Sequence, residues 1–343
     1  MSHRSLVSPA ALAIVVAAAV SVALLAQTPA VQTPSSAAKA TIAGKTWTPP
    51  RTSDGKPDLQ GIWTDSTLTP LERPKKFGAR EFYTDEEFAD LSRRVRQGEK
   101  VEEADLGAAA PQAVRYDLEV YGFDRNKLRF ASNRTSLVVG DGVVPPMLPQ
   151  ARERNAARAA MNKGHEFDSH ENRPLSERCL LMNQERVPMI PGANEGNLLQ
   201  IVQGPGYVAL FHEIDHSTRV IPTDGRAHVP QNIRQLQGDS VGHWEGNTLV
   251  VDTTNFTNRT AYRGSSDKLH LVERFTRAAD ETMIYQFTVE DPTTWAKPWT
   301  AEVPWTKTQG PVYEYACHEG NTMIATILRG ARVEEEEAQK KGK

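Results

Sequence analysis

The second half of this chain is divided into many short segments rich in β-forming residues, and this pattern constrains the fold most strongly. The segments are LLQIVQ, GYVALFHE, STRVIP, NTLVVDTTN, LHLVERFTR, TMIYQFTVED and WTAEVPW, separated by Gly, Pro, Asp and Asn. In TMIYQFTVED, Met283, Tyr285, Phe287 and Val289 share one face. The connections are too short for the helical crossovers of a parallel sheet. The sequence therefore predicts a mainly β protein with an antiparallel barrel or sandwich.

Two peripheral helices are predicted in the N-terminal half. The first lies near residues 84–97, where Thr84 can cap the helix and Glu87 is placed as its capping-box partner. The second lies near residues 149–163, is rich in alanine and ends close to Gly164.

Changes in composition predict the domain boundaries. A short basic head and an alanine-rich apolar run within residues 1–26 are typical of a signal peptide or an N-terminal anchor. Residues 27–45 are rich in Thr, Pro and Ser and predict a flexible linker. Residues 46–178 form a wrapping region that shares one core with a β domain at 179–332, and 333–343 form a charged tail. The N-terminal segment predicts a periplasmic or secreted protein.

The charge balance argues against several kinds of partner. The chain has 40 Lys and Arg and 43 Asp and Glu, a net charge of −3, with both signs interspersed. No basic cluster indicates nucleic acid, and no membrane contact is expected beyond a possible N-terminal anchor. A Gly-rich dinucleotide motif and a phosphate loop are both lacking, so we expect no cofactor. The expected partner is a small-molecule ligand or substrate, and the sequence does not indicate an oligomeric state.

The chain has two cysteines, Cys179 and Cys317. In an exported protein such a pair predicts one long-range disulfide, and the alternative is two buried thiols. Neither cysteine has the nearby second cysteine of common zinc motifs, so no metal is predicted there.

The stretch HEIDH, from His212 to His216, matches the His-Glu-x-x-His signature of zinc peptidases. On a helix the two imidazoles lie one turn apart, but on a strand they are separated by roughly 13 Å, too far to share one zinc. Gly and Pro before the motif and β-branched residues after it favour a hairpin. We therefore predict a strand at Tyr207–Glu213, a turn near Ile214–His216 and a returning strand at Ser217–Ile221, with no metal site.

Two polar clusters contain the parts of an acid–base site. Around the predicted hairpin lie Glu213, His216 and Arg219, for which the alternative is a solvated turn with an ion pair. Arg219 is placed so that it could pair with Glu213 across the hairpin.

The second cluster combines Asp239, His243 and Glu245 with Trp244 as an aromatic wall. Its alternative is a turn capped by Asp239, with Trp244 filling the core.

Several blocks of the chain are similar to a known group of proteins. PRTSDGKPDLQGIW, TRVIPTDGRAHVP, GDSVGHWEGNTLVVDTTNF and YEYACHEGN resemble a widespread, uncharacterised family of secreted bacterial proteins. The resemblance covers nearly the whole chain after the leader and implies secretion and β-structure. Members of the family read roughly Glu-x-x-His-Asp where this chain has Ser217 after His216, which leaves His212 outside the shared pattern. Gly61-Ile62-Trp63 also resembles the Gly-x-Trp of lipocalins, which implies a lipocalin-like fold.

These observations predict a β-barrel protein that binds a small, largely apolar organic molecule. The predicted reaction type is metal-free acid–base chemistry, such as elimination, hydration or isomerisation, in a lyase or isomerase. His243 or His216 would move the proton, Glu245, Asp239 or Glu213 would orient that histidine, and Trp244 and Arg219 would bind the ligand. Two alternatives stay open: a non-catalytic carrier, and a zinc-dependent hydrolase that uses His212, Glu213 and His216.

Overall fold

The computed structural model describes residues 47–97, 130, 132–181, 187–190 and 198–342. These residues fall within the unit Trp47–Lys343. The predicted signal peptide or anchor at 1–26 and the linker at 27–45 lie outside the described residues.

Nine strands form one antiparallel sheet, which confirms the mainly β, antiparallel part of the prediction. The strands are β1 (Gly61–Thr64), β2 (Leu198–Gly204), β3 (Tyr207–His212), β4 (Thr218–Pro222), β5 (Asp239–Glu245), β6 (Thr248–Thr254), β7 (His270–Ala279), β8 (Thr282–Glu290) and β9 (Trp299–Thr308). Their order across the sheet is β4-β3-β2-β1-β9-β8-β7-β6-β5, and each neighbouring pair runs antiparallel.

The sheet is curled but not closed, so the hydrogen-bonded barrel of the prediction does not form. Its two edge strands, β4 and β5, approach each other without pairing. The approach is close, because a Cβ added at Gly242 of β5 would lie 2.9 Å from Ile221 Cγ2 of β4. Residues 223–238 connect the end of β4 to the start of β5, the two edge strands that do not pair.

The N-terminal region supplies a central strand. β1 pairs with β2 on one side and with β9 on the other, and so joins the two groups of strands that follow in the chain. Trp63 of this strand is fully buried and donates from Nε1 to the Leu59 carbonyl at 3.0 Å. Leu59 and Trp63 thus belong to the same hydrophobic cluster as the buried residues of the sheet.

The described part of the chain forms three α-helices beside the sheet: α1 (Asp85–Arg96), α2 (Pro149–Asn162) and α3 (Met323–Lys341). Both predicted helices are confirmed, and the Thr84–Glu87 capping box forms at the start of α1. α3 includes most of the segment expected to be a charged tail. None of the described helices is long and apolar enough to span a membrane.

The HEIDH stretch forms a strand and a turn, which confirms the predicted hairpin. β3 ends at His212, a 3₁₀ turn covers Ile214–His216, and β4 returns antiparallel. The His212 N–H donates to the Ser217 carbonyl at 2.8 Å and closes the turn. These residues therefore do not form the α-helix that a zinc-peptidase motif requires.

The predicted disulfide is confirmed. Cys179 and Cys317 are bonded, with their Cα atoms 5.7 Å apart and a sequence separation of 138 positions. Asn321 Nδ2 donates to Cys179 Sγ at 3.2 Å. The bridge ties the segment before β2 to the chain that leads into α3, and by constraining the unfolded chain it stabilises the fold.

The inner face of the curled sheet carries the core. Met283, Tyr285, Phe287 and Val289, predicted to share a face of β8, are all buried. The Tyr285 ring centroid lies 4.8 Å from that of Trp305 on β9. Alternation along the strands therefore decides which side chains enter an aromatic interior and which face outward.

Candidate functional site

A charged cluster lies among these buried aromatic side chains. Arg219 of β4 donates from Nη2 to Glu273 Oε2 of β7 at 2.7 Å, and Tyr285 of β8 donates its hydroxyl hydrogen to Glu273 Oε1 at 2.8 Å. The Met189 N–H donates to the Tyr285 hydroxyl oxygen at 3.1 Å. The side chains of Arg219 and Glu273 are 6% and 0% exposed, so this is a desolvated ion pair. We call Arg219, Glu273, Tyr285 and His212 the inner cluster.

The inner cluster leaves part of Arg219 unsatisfied. Nε and Nη1 of Arg219 are buried and make no hydrogen bond to the described residues. A buried donor without a partner costs ~1–3 kcal/mol, and more on a charged group. Buried donors in folded proteins nearly always have an acceptor, so the simplest explanation is that a bound molecule or water accepts from Arg219. The Nε and Nη1 donors of Arg219 therefore lack an acceptor among the described residues.

His212, at the end of β3, is the neutral member of the inner cluster. Its burial, together with the positive charge of Arg219, lowers the pKa of His212 to about 3. The imidazole is therefore uncharged at neutral pH. A neutral imidazole can donate one hydrogen bond and accept another. His212 is thus too weak a base for proton abstraction and is suited to binding.

The other residues of the predicted hairpin cluster do not face Arg219. Glu213 is buried and accepts a hydrogen bond from the Tyr313 N–H at 2.9 Å, while Arg219 takes Glu273 as its ion-pair partner. His216 stacks on Phe211 with ring centroids 5.2 Å apart. The structure therefore brings Arg219 into an interior site that the sequence did not predict.

The second predicted cluster is divided between the two faces of β5. His243 Nε2 lies 3.1 Å from Glu245 Oε1, and Glu245 accepts from Arg274 Nη2 at 2.7 Å. The side chains of His243 and Glu245 are about half exposed. Trp244 turns inward and packs against the core. These residues do not surround a common space.

Asp239, at the other end of β5, belongs to a chain of imidazoles and carboxylates on the outer face. Its Oδ2 lies 2.7 Å from Nδ1 of His228, and Nε2 of His228 lies 3.0 Å from Asp252 Oδ1. Asp252 Oδ2 lies 2.8 Å from His270 Nε2, and His270 Nδ1 is 3.4 Å from Glu290 Oε2. We call these five residues the outer relay. It fastens His228, in the connection at 223–238, to the outside of β5 and β6.

Within the outer relay, the carboxylates beside His270 favour its protonated form. The hydrogen bond that His270 donates to Asp252, supported by Glu290, raises the pKa of His270 despite partial burial. Burial opposes ionisation of Asp252, but hydrogen bonds and charge from His270 and His228 lower its pKa. The five side chains form a chain of hydrogen bonds at the surface, and none of them faces an enclosed space.

Asp65, the residue after β1, is a further unusual carboxyl group. Its Oδ1 is buried without a hydrogen-bond partner among the described residues. This burial raises the pKa of Asp65 to about 7, with only its own backbone N–H acting in the opposite direction. Asp65 is therefore partly protonated at neutral pH.

Several of these groups escape prediction from the sequence. Glu273 and Tyr285 lie on predicted strands, and parity along each strand would have placed both inward. Their pairing with Arg219 depends on the curling of the sheet, which brings β4 near β7. His270 reaches Asp252 because β7 pairs with β6, whereas His228 reaches Asp252 because the connection at 223–238 folds back over β5 and β6.

The described residues offer no group of three or more His, Cys, Asp or Glu side chains that could hold a metal ion. His212 faces the interior, whereas His216 lies against the outward-facing Phe211. The two histidines of HEIDH are therefore on opposite sides of the hairpin.

No protein-family model, curated protein or solved structure matches this chain. The resemblance to a secreted bacterial family stays a prediction, and the case for a function depends on the two clusters.

Proposed function

We propose that this protein is a periplasmic or secreted carrier of a small, largely apolar organic molecule, held inside the curled sheet. The observation that carries the proposal is Arg219, whose buried Nε and Nη1 have no acceptor among the described residues. An apolar lining with a few placed polar groups is the usual composition of a small-molecule site. The curled sheet would then enclose its ligand as lipocalin-like sheets do, although its edges are not paired.

A carrier is supported over an acid–base enzyme by where the predicted catalytic residues lie. His243 and Glu245 lie on the outer face, and Asp239 is bonded within the outer relay. A general base must come within hydrogen-bond reach of its substrate, roughly 2.6–3.2 Å. None of the three lies beside the unsatisfied nitrogens of Arg219, and the neutral His212 is too weak a base. The interior is thus equipped for binding.

The disulfide supports export. A bond between Cys179 and Cys317 persists in oxidising compartments and is rare in a reducing cytoplasm. This agrees with the basic head and apolar run at the N-terminus.

The proposal is tested with a double variant that removes the unsatisfied donors without leaving a lone buried charge. Arg219→Met with Glu273→Gln makes the inner cluster uncharged, and such replacements of buried ion pairs are often neutral for stability. Protein purified from the periplasm is examined by native mass spectrometry, and binding of a fluorescent apolar probe is measured. We expect the natural protein to retain or bind a small molecule and the double variant to lose at least tenfold in affinity.

A matched control lies one residue away. Arg274→Met with Glu245→Gln removes an exposed pair from the outer face and should leave binding unchanged. Equal affinity in the natural protein and the inner double variant, or the absence of any bound molecule, would overturn the proposal.

A further inference from the structure

The inner cluster is electrically balanced before any ligand enters. Arg219 contributes one positive charge and Glu273 one negative charge, at 2.7 Å. Both oxygens of Glu273 are occupied, one by Arg219 and the other by Tyr285. Glu273 is completely buried, so water does not screen this pair.

The neighbouring groups supply no spare positive charge. Arg277, the next inward-facing residue after Phe275 on β7, donates to Asp280 Oδ1 at 2.9 Å and to the Asp58 carbonyl at 3.0 Å. His212 is uncharged, because burial and Arg219 both oppose its protonation. Glu213, which follows His212, is buried and bears an acidic group. A second anion would therefore lack a compensating cation.

We infer that the molecule bound at Arg219 presents a neutral acceptor oxygen, such as the carbonyl of an amide, ester, aldehyde or ketone, and not a carboxylate. The inference rests on the proposed function and adds the class of ligand. A neutral carbonyl can accept from the unsatisfied N–H groups and leaves the interior balanced. A carboxylate would add an unpaired charge to a desolvated site, which is strongly unfavourable.

The inference is tested with matched pairs of ligands that share a skeleton and differ in charge. Octanamide with octanoate, and benzamide with benzoate, are titrated into the full protein by calorimetry at pH 7.5. We expect the amide of a pair to bind at least tenfold more tightly than the acid. Binding of the acid should strengthen as pH falls towards ~4–5, because protonation converts the carboxylate into a neutral acceptor.

A single substitution should reverse this preference. Glu273→Gln keeps the size of the side chain but removes its charge, which leaves Arg219 as an uncompensated cation. The carboxylate of each pair should then bind more tightly than the amide. Glu245→Gln, which removes a carboxylate of the outer face, is the control and should keep the natural preference.

Each outcome has a distinct meaning. Tighter binding of the carboxylate by the natural protein at pH 7.5 would overturn the inference but leave the proposed function standing. If neither member of any pair binds, the proposed function itself fails. If Glu273→Gln does not fold, the ratio of amide affinity to acid affinity in the natural protein, and its pH dependence, still test the inference.

Discussion

The inner cluster and the outer relay are built from the same kinds of side chain, yet their protonation differs because one is buried and the other is not. Inside the sheet, Glu273 is held by Arg219 and Tyr285, and His212 is kept neutral by desolvation. Outside, His270 shares protons with partly exposed carboxylates, and its pKa is raised. His212 of the inner cluster is therefore uncharged near neutral pH, whereas the protonated form of His270 in the outer relay is favoured.

Two adjacent residues of β7 show how this difference arises. Glu273 faces inward and meets Arg219, while Arg274 faces outward and meets Glu245. Successive side chains on a strand point to opposite faces, so one step in sequence separates a desolvated ion pair from a screened one. The same pairing of charges is thus buried on one face of the sheet and exposed to solvent on the other.

The largest effect is expected when only one partner of the inner pair is removed. Arg219→Met leaves Glu273 buried without its cation, which should lower the free energy of unfolding by about 3–5 kcal/mol. Urea denaturation measures this loss. Arg274→Met, the exposed counterpart, should cost less than about 1 kcal/mol.

The double variant Arg219→Met with Glu273→Gln sharpens the result. It should recover most of the stability lost in Arg219→Met, since no lone charge is left inside. Equal losses from Arg219→Met and Arg274→Met would show that the inner pair is solvated in solution and would remove the contrast between the two faces.

The sequence predicts the secondary structure of this molecule better than its site. The hairpin around HEIDH follows from local signals, namely Gly206 before β3 and Pro222 at the end of β4, and the capping box of α1 does too. The disulfide follows from a count of two cysteines in a chain with a predicted export signal. Each of these depends on near neighbours or on composition.

The site depends on contacts that periodicity does not encode. Arg219 and Glu273 are 54 residues apart and meet because the open sheet curls until its edges approach. The prediction of His243 and Glu245 as catalytic residues relied on their closeness in sequence, which places both on the exposed face of β5. The alternation of side chains along a strand determines which face each residue occupies. The curvature of the sheet determines which residues of distant strands come into contact.

Asp65 is a buried carboxyl group without a neighbouring cation among the described residues, in contrast to Glu273, which is paired with Arg219. The unfolded chain ionises this group near its usual pKa of 3.8, whereas in the folded protein the pKa is about 7. Burial of Asp65 therefore destabilises the fold progressively as pH rises from about 4 to 7. Asp65→Asn should stabilise the protein by ~4 kcal/mol at pH 8 and by less than ~1 kcal/mol at pH 4. Chemical denaturation at both values measures this, and a constant difference across the range would contradict it.

The smallest effect is expected in the outer relay, where partial exposure limits the energy of each contact. His270 has a raised pKa in the folded protein, so its stabilising contribution is complete below pH 6.5 and is lost as pH rises through the folded value. His270→Gln should lower stability by up to about 1 kcal/mol at pH 5.5 and by less at pH 8.5, because the neutral imidazole forms only an ordinary hydrogen bond with Asp252. His243→Gln, on the same face but about half exposed beside Glu245, serves as the matched control and should show little loss at either pH. Denaturation curves at the two pH values decide the point. A loss of stability from His270→Gln that is larger at pH 8.5 than at pH 5.5 would contradict this pH dependence. It would mean that a neutral histidine holds residues 223–238 in the outer relay.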